Sequence, residues 1–315
     1  MMNRVRFLLI FVMCCGLQLE GKVRILTFHF NKPDFIELQV RACKQFLEHD
    51  FEILVFNDAA DPTAEIAIRE TCEKHGIQCI RYYPEWHKDN PINNIVESYL
   101  DNPQIYSHVK FHNYPRPSLE DISICFSIRH SHVIQYALDH YGYDHDDIIV
   151  ILDGDAFPIR PLDLYHLLAN NSIVGINRLI QEDNVEYLWV PFIAFNPKTL
   201  PNLRDLRFSV SAIKNKVYDT GSESYHYLAN NPSVCAKKIL GYASTGFYTW
   251  QPNQIKSYGF TDDEIWLIKN LPWPNCVEFH IDNHILHFGA SSFPLEGHHV
   301  KSEYVKAFFD RILLH

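Results

Sequence analysis

The run Ile148-Ile149-Val150-Ile151-Leu152 constrains this chain more than any other segment. Four of its five residues are β-branched, which suits a strand, and none offers a polar face to water. Such a strand must be covered on both sides, as a central strand is in a sheet flanked by helices. The upstream sequence supplies its neighbours. Residues 23–28, 51–56 and 77–82 read as strands, and residues 35–48 and 64–75 have helical spacing. Ile36, Val40, Cys43, Phe46 and Leu47 fall on one side of the first helix, and Gly76 stops the second. Strand, helix, strand, helix, strand predicts a parallel sheet with right-handed crossovers, a Rossmann-like half suited to nucleotides. Residues 86–117, rich in Pro and Asn, are predicted to be a loop or flap with one short helix, and residues 119–140 a helix. Beyond Pro161 the pattern is mixed, with a short helix over 162–169 and strands near Ile173 and Phe192. No Gly/Ser linker or internal repeat divides the sequence. One domain over residues 22–315 is expected, of class α/β, with a Rossmann-type mixed sheet flanked by helices and mainly parallel in its N-terminal half.

A chain of 315 residues, 47% of them hydrophobic, can bury a sizeable core. Its 28 basic and 38 acidic residues give a net charge of -10, and no basic stripe interleaved with aromatics is present. That balance argues against a nucleic-acid partner. Arg4 and Arg6 precede an apolar run over 7–15, so residues 1–21 read as a signal peptide or short hydrophobic leader. The run is shorter than the roughly 20 residues of a membrane span. Its alternative is a buried first strand or helix. Membrane contact is expected only through this leader. The expected location is the secretory pathway, periplasm or extracellular space if the leader functions, and otherwise the cytoplasm. Eight cysteines, six after the leader, permit disulfides outside the cytoplasm. None forms a Cys-x-x-Cys pair, which argues against a structural zinc site.

The apolar strand runs directly into Asp153-Gly154-Asp155. Ligands of open α/β sheets bind beyond the carboxyl ends of the strands, which is where these carboxylates fall. Two such groups repel unless a cation lies between them. Their oxygens suit Mn2+ or Mg2+, either of which also bridges a diphosphate and acts as a Lewis acid. A second reading stays open: Asp-Gly as the tight turn of a hairpin between residues 148–152 and 156–159.

The phrase from Ile148 to Leu162, an apolar strand followed by Asp-x-Asp, a small residue, an aromatic and Pro, resembles the Asp-x-Asp motif of GT-A-fold glycosyltransferases. The resemblance implies a divalent metal (Mn2+ or Mg2+), a nucleotide-sugar donor and a glycan or glycoconjugate acceptor. Asp155 would be the chief metal ligand, with Asp153 acting through water or touching sugar or ribose. Donor contacts are implied at the ends of the first two strands. Thr27 and Phe28 stand at one, with Phe28 against a base or in the core. Asp58 stands at the other, on base or ribose or as a solvated turn residue. Arg129, within residues 127–131, matches the position of a cation for the diphosphate; its alternative is an exposed helix arginine. Tyr218-Asp219-Thr220-Gly221 resembles the family's Asn-x-Gly segment, which lines the sugar and acceptor site, but carries Asp219 in place of Asn. The resemblance implies that Asp219 acts on the acceptor hydroxyl or binds a donor-sugar hydroxyl. His287, in preference to His284, matches the terminal histidine that completes the metal sphere, although the Lys-Pro-Trp continuation of some members is lacking. An inverting enzyme needs a base. Asp262, Asp263 and Glu264 offer one; Asp262 reads as a helix cap, which leaves Asp263. The stereochemical course stays open.

Two rivals share the motif. A haloacid-dehalogenase-like magnesium phosphatase would use the first Asp as nucleophile and the second as acid/base, with Asp262-Asp263 and Lys237 as later partners. Against it, Ala156-Phe157-Pro158 follows the motif and three strand-like segments precede it. A secreted glycan-binding protein without catalysis would stack sugars on Trp and Tyr, for instance within residues 81–86, and hold calcium on its carboxylates. The strand-helix-strand half argues against that.

Overall fold

A computed structural model describes residues 22–59, 61–83, 122–146, 148–214, 216–243, 246–271, 277–280, 282–289 and 298–313. The leader over 1–21 and the irregular stretch predicted over 86–117 lie outside the described residues. The elements are β1 (Val23–His29), α1 (Asp34–Phe46), β2 (Phe51–Asn57), α2 (Pro62–His75), β3 (Gln78–Arg81) and α3 (Ile122–Ala137), which ends in a π turn (Leu138–Gly142). After them come β4 (Ile148–Asp153), β5 (Ala156–Pro158), α4 (Leu164–Leu168), β6 (Ile173–Ile180), β7 (Val185–Phe195), β8 (Ser211–Ile213) and β9 (Lys216–Tyr218). The chain continues through α5 (Ser224–Asn230), β10 (Ala236–Ile239), β11 (Gly241–Ala243), α6 (Pro252–Lys256) and α7 (Asp262–Asn270). Strands β12 (Glu278–His280) and β13 (Ile285–His287) and helix α8 (His298–Ile312) complete it.

Seven strands form the main sheet in the order β10-β6-β7-β4-β1-β2-β3. Strands β3, β2, β1 and β4 are parallel, and β7 runs against both β4 and β6. The fold is therefore α/β with a mixed sheet, mainly parallel in its N-terminal half, as the alternation of elements predicts. The apolar run over 148–152 is covered on both faces. Val150 and Leu152 pack with Ile36, Val40 and Ile68 of α1 and α2, while Ile149 and Ile151 pack with Val133, Ile134 and Leu138 on the α3 side. At about 1.5–3 kcal/mol for each fully buried aliphatic side chain, this two-sided burial fixes the strand at the sheet centre.

Two local expectations are corrected. The segment 153–155 is no hairpin, because β4 lies in the main sheet whereas β5 pairs antiparallel with β13 in a second sheet of order β11-β12-β13-β5. Helix α1 is apolar on two sides: Ile36, Val40 and Cys43 face the main sheet, and Phe35, Leu38 and Ala42 pack with Phe157, Phe279 and Leu286 of the second sheet. Its outer face is covered by a sheet assembled from residues far along the chain. Among the described residues, no helix is long and apolar enough to cross a membrane. Cys43 and Cys72 are buried free thiols, and Cys235 is exposed.

Candidate metal centre

Parallel pairing aligns the carboxyl ends of three strands. Phe28 of β1 is in register with Phe56 of β2 and Asp153 of β4, and His29 with Asn57. From that edge the chain leaves the main sheet at Asp153, turns at Gly154 and enters the second sheet at Ala156. The turn is tightly held. A Cβ on Gly154 would lie 2.1 Å from the Phe28 carbonyl oxygen, so only glycine fits. Gln39 of α1, itself buried, donates through Nε2 to both the Asp153 and Ala156 carbonyls, each at 2.8 Å. Its Oε1 accepts from Thr27 Oγ1 at 2.7 Å.

The two sheets meet at the carboxylates. Asp153, Asp155 and His287 each offer a ligand atom, all within 4.8 Å of one another. The Asp155 side chain is buried, and one of its oxygens, Oδ1, lies 3.4 Å from His287 Nε2. The other ring nitrogen, Nδ1, is 3.1 Å from Glu278 Oε2, and Trp189 packs edge-on against the ring at 5.0 Å. A carboxylate on the far nitrogen fixes the ring and leaves Nε2 directed at Asp155, as metal-binding histidines require. Asp153 Oδ1 accepts from Gly154 N at 2.8 Å and lies 3.5 Å from His130 Nε2 of α3.

Electrostatics match this crowding. Burial, opposed by His130 and reinforced by Asp155, lifts the Asp153 carboxyl to about 6. Burial disfavours the His287 cation, yet Asp155 and Glu278 together raise it to about 10. Glu278 is driven the other way: burial raises it, but His280 and His287 hold it well below the usual carboxylate range. Protons therefore occupy a place that a divalent ion can take. Two carboxylates and one imidazole suit Mn2+, whose borderline character tolerates nitrogen better than Mg2+ does. The donor set fits a divalent cation.

The remaining predicted residues fall in several places. Asp58 and Arg129, each singled out as a donor contact, are both buried and bind one another: Arg129 Nε donates to Asp58 Oδ2 at 3.0 Å, and Nη2 to the Asp58 carbonyl. The guanidinium also lies over the Phe30 ring, 4.1 Å from its centroid. Arg129 is thus not the exposed helix arginine of the alternative reading. Thr27 is consumed by Gln39 and His29 beneath the turn. The ring of Phe28 packs against Phe56 and His130, so it serves the core rather than a base. Asp219 accepts from Ser127 Oγ of α3 and from Thr220 N, and Gly221 (φ +97) lies where a Cβ would reach 2.2 Å from the Leu188 carbonyl oxygen. Ser127 and His130 are three apart on one helical face, so Asp219 and Asp153 engage the same stretch of α3.

Asp263 does not join this group. It is held by Arg311 of α8 at 2.7 Å on the first turn of α7. The cap of that helix is Thr261 rather than Asp262, with Glu264 completing a reciprocal capping box. Sequence reasoning passed over Glu278, His130 and Gln39. His130 sits beside Arg129 in the segment singled out, and Glu278-Phe279-His280 carries the polar-apolar-polar alternation of a strand with one buried polar face.

No protein-family profile matches the chain, and no curated protein sequence does. Among solved structures it is similar to the mannosyltransferase PcManGT from Pyrobaculum calidifontis in complex with GDP-Man and Mn2+, at 15% identity and a TM-score of 0.40, over 70% of this chain and 55% of that one. It is similar to the galactosyltransferase LgtC in complex with donor and acceptor sugar analogues, at 12% identity and a TM-score of 0.39, over 92% and 96%. The bifunctional glycosyltransferase WbbM gives 10% identity and a TM-score of 0.36, over 70% and 39%.

Proposed function

We propose that this chain is a metal-dependent glycosyltransferase of the GT-A type, moving a sugar from a nucleotide-diphosphate donor to a saccharide or glycoconjugate acceptor. The observation that carries this reading is the convergence of Asp153, Asp155 and His287 beyond the carboxyl edge of the parallel strands. A bound Mn2+ or Mg2+ would neutralise the charge gathering on a departing nucleoside diphosphate. The chain's own residues do the rest. Gln39 and Gly154 set the distance between the carboxylates, and Glu278 holds the His287 ring. The Asp58–Arg129 pair buttresses the edge where the donor lies. Asp219 is oriented by Ser127 to accept a hydrogen bond from a sugar hydroxyl. A phosphatase would need Asp262 and Asp263 at the same edge, and they are engaged by Lys256 and Arg311.

The test is release of nucleoside diphosphate from a panel of nucleotide sugars, with manganese and with chelator. Release with manganese, abolished by chelator and lowered at least about a hundredfold by Asp155→Asn, is expected. Release of inorganic phosphate from phosphate esters instead, or no turnover of any donor, would overturn the assignment.

A further inference from the structure

The small sheet carries a second set of ligating groups on the same face as His287. Glu278 pairs with His287 across β12 and β13, and His280 follows two residues on, so all three side chains share one side of the sheet. Each offers a ligand atom within 4.8 Å of the other two. Glu278 Oε2 is the common point, 3.1 Å from His287 Nδ1 and 3.4 Å from His280 Nε2. Arg178 approaches the other oxygen, Oε1, at 3.9 Å and leaves Oε2 to the imidazoles. Ligand bonds of about 2.0–2.1 Å arranged tetrahedrally around zinc place ligand atoms about 3.3 Å apart, close to the two distances from Glu278 Oε2.

The second observation is His280 itself. Its residue is 4% exposed, and neither ring nitrogen has a hydrogen-bond partner among the described residues. Nε2 is near the Glu278 oxygen without being aligned to donate to it. Leaving a buried imidazole unsatisfied is costly, so a ring held this way points to a group that fills the gap. The ring is also given its place by the backbone, since a Cβ on Gly241 would lie 1.9 Å from His280 Nδ1.

We propose that Glu278, His280 and the Nδ1 side of His287 form a second cation site, for a zinc-type transition ion, which shares the His287 ring with the Asp153–Asp155 site. Two imidazoles and one carboxylate favour zinc over manganese or magnesium more strongly than does the two-carboxylate set next to it, which zinc also fills when no other cation is supplied. With ions on both nitrogens the His287 ring would bridge them as an imidazolate, its two N–H protons released to solvent.

The test uses the metal-stripped full chain dialysed against low-micromolar free zinc, with bound zinc counted by mass spectrometry of the digested protein. Two ions per chain are expected in the wild type and one each in His280→Gln and Asp155→Asn, with thermal unfolding confirming that both variants fold. X-ray absorption at the zinc edge on Asp155→Asn, which leaves His280 intact, should show two imidazoles on the remaining ion. One ion in the wild type, or equal counts in wild type and His280→Gln, overturns the proposal, as does a single imidazole in that spectrum. None of these readouts involves sugar transfer, so the second site stands or falls independently of the proposed activity.

Discussion

The imidazole of His287 stands between two carboxylates, so its proton is what a divalent ion must displace. With its pKa raised to about 10, the metal-free ring is charged at neutral pH. The stability gained from this ion pair is complete below the unfolded-state value of about 6.5 and is lost as pH rises through about 10. Metal binding has the opposite dependence. Manganese affinity should rise by about tenfold per pH unit between pH 7 and 9, with one proton released per ion. Titration calorimetry in buffers of different ionisation enthalpy reads both quantities; an affinity flat across that range would mean that Nε2 is no ligand. Glu278→Gln keeps the ring in place but weakens its anchor, and should raise the manganese concentration for half-saturation by about 10- to 100-fold. Gly154→Ala should be harsher. Its methyl group meets a backbone carbonyl at 2.1 Å, so the turn must shift and separate the carboxylates. Loss of measurable manganese binding in a chain that still unfolds cooperatively is the expected result.

Helix α3 joins the parts of the site, since Ser127 holds Asp219, Arg129 holds Asp58 and His130 faces Asp153. Breaking the buried Asp58–Arg129 pair by Arg129→Met should cost about 3–5 kcal/mol, because Asp58 is left charged without its partner. Combining it with Asp58→Leu should restore most of that loss. Urea unfolding of the two single variants and the double variant measures the coupling. A coupling energy near zero would release Arg129 from this structural duty. The pair also shows what the sequence could and could not say. Asp58 was legible as a polar residue at a strand end and Arg129 as a cation on the helix ahead of the motif, but their 71-residue separation hid that they are each other's partner. The parallel half was legible because its strands and helices alternate locally, with the periods of each written in the side chains. The turn at Asp153–Asp155 was ambiguous for the opposite reason. Whether Asp-Gly closes a hairpin or carries the chain between sheets depends on β13, some 130 residues later, and no local pattern encodes that pairing. Glu278 was hidden likewise, since its role exists only once β12 lies beside β13.

At the scale of the whole molecule the site is a seam. The main sheet supplies Asp153, the second sheet supplies His287, and Asp155 lies on the segment passing between them. Away from the carboxylates the sheets are joined by α1 packed between them. An ion at the seam binds only when both sheets are in place, so its binding energy adds to the stability of their docking. At a manganese concentration of about 100 times its dissociation constant, linkage adds about 2.7 kcal/mol. For a chain of this size that is a rise of a few degrees in Tm, by roughly 1–2 °C per kcal/mol. Asp155→Asn should abolish the rise. Hydrogen exchange locates the effect: manganese should slow exchange in β4 and β5 and in β12 and β13 together, because opening either side releases the ion. Slowing confined to the β4 side would show that His287 does not share the ion, and the second sheet would then be a support rather than half of the centre.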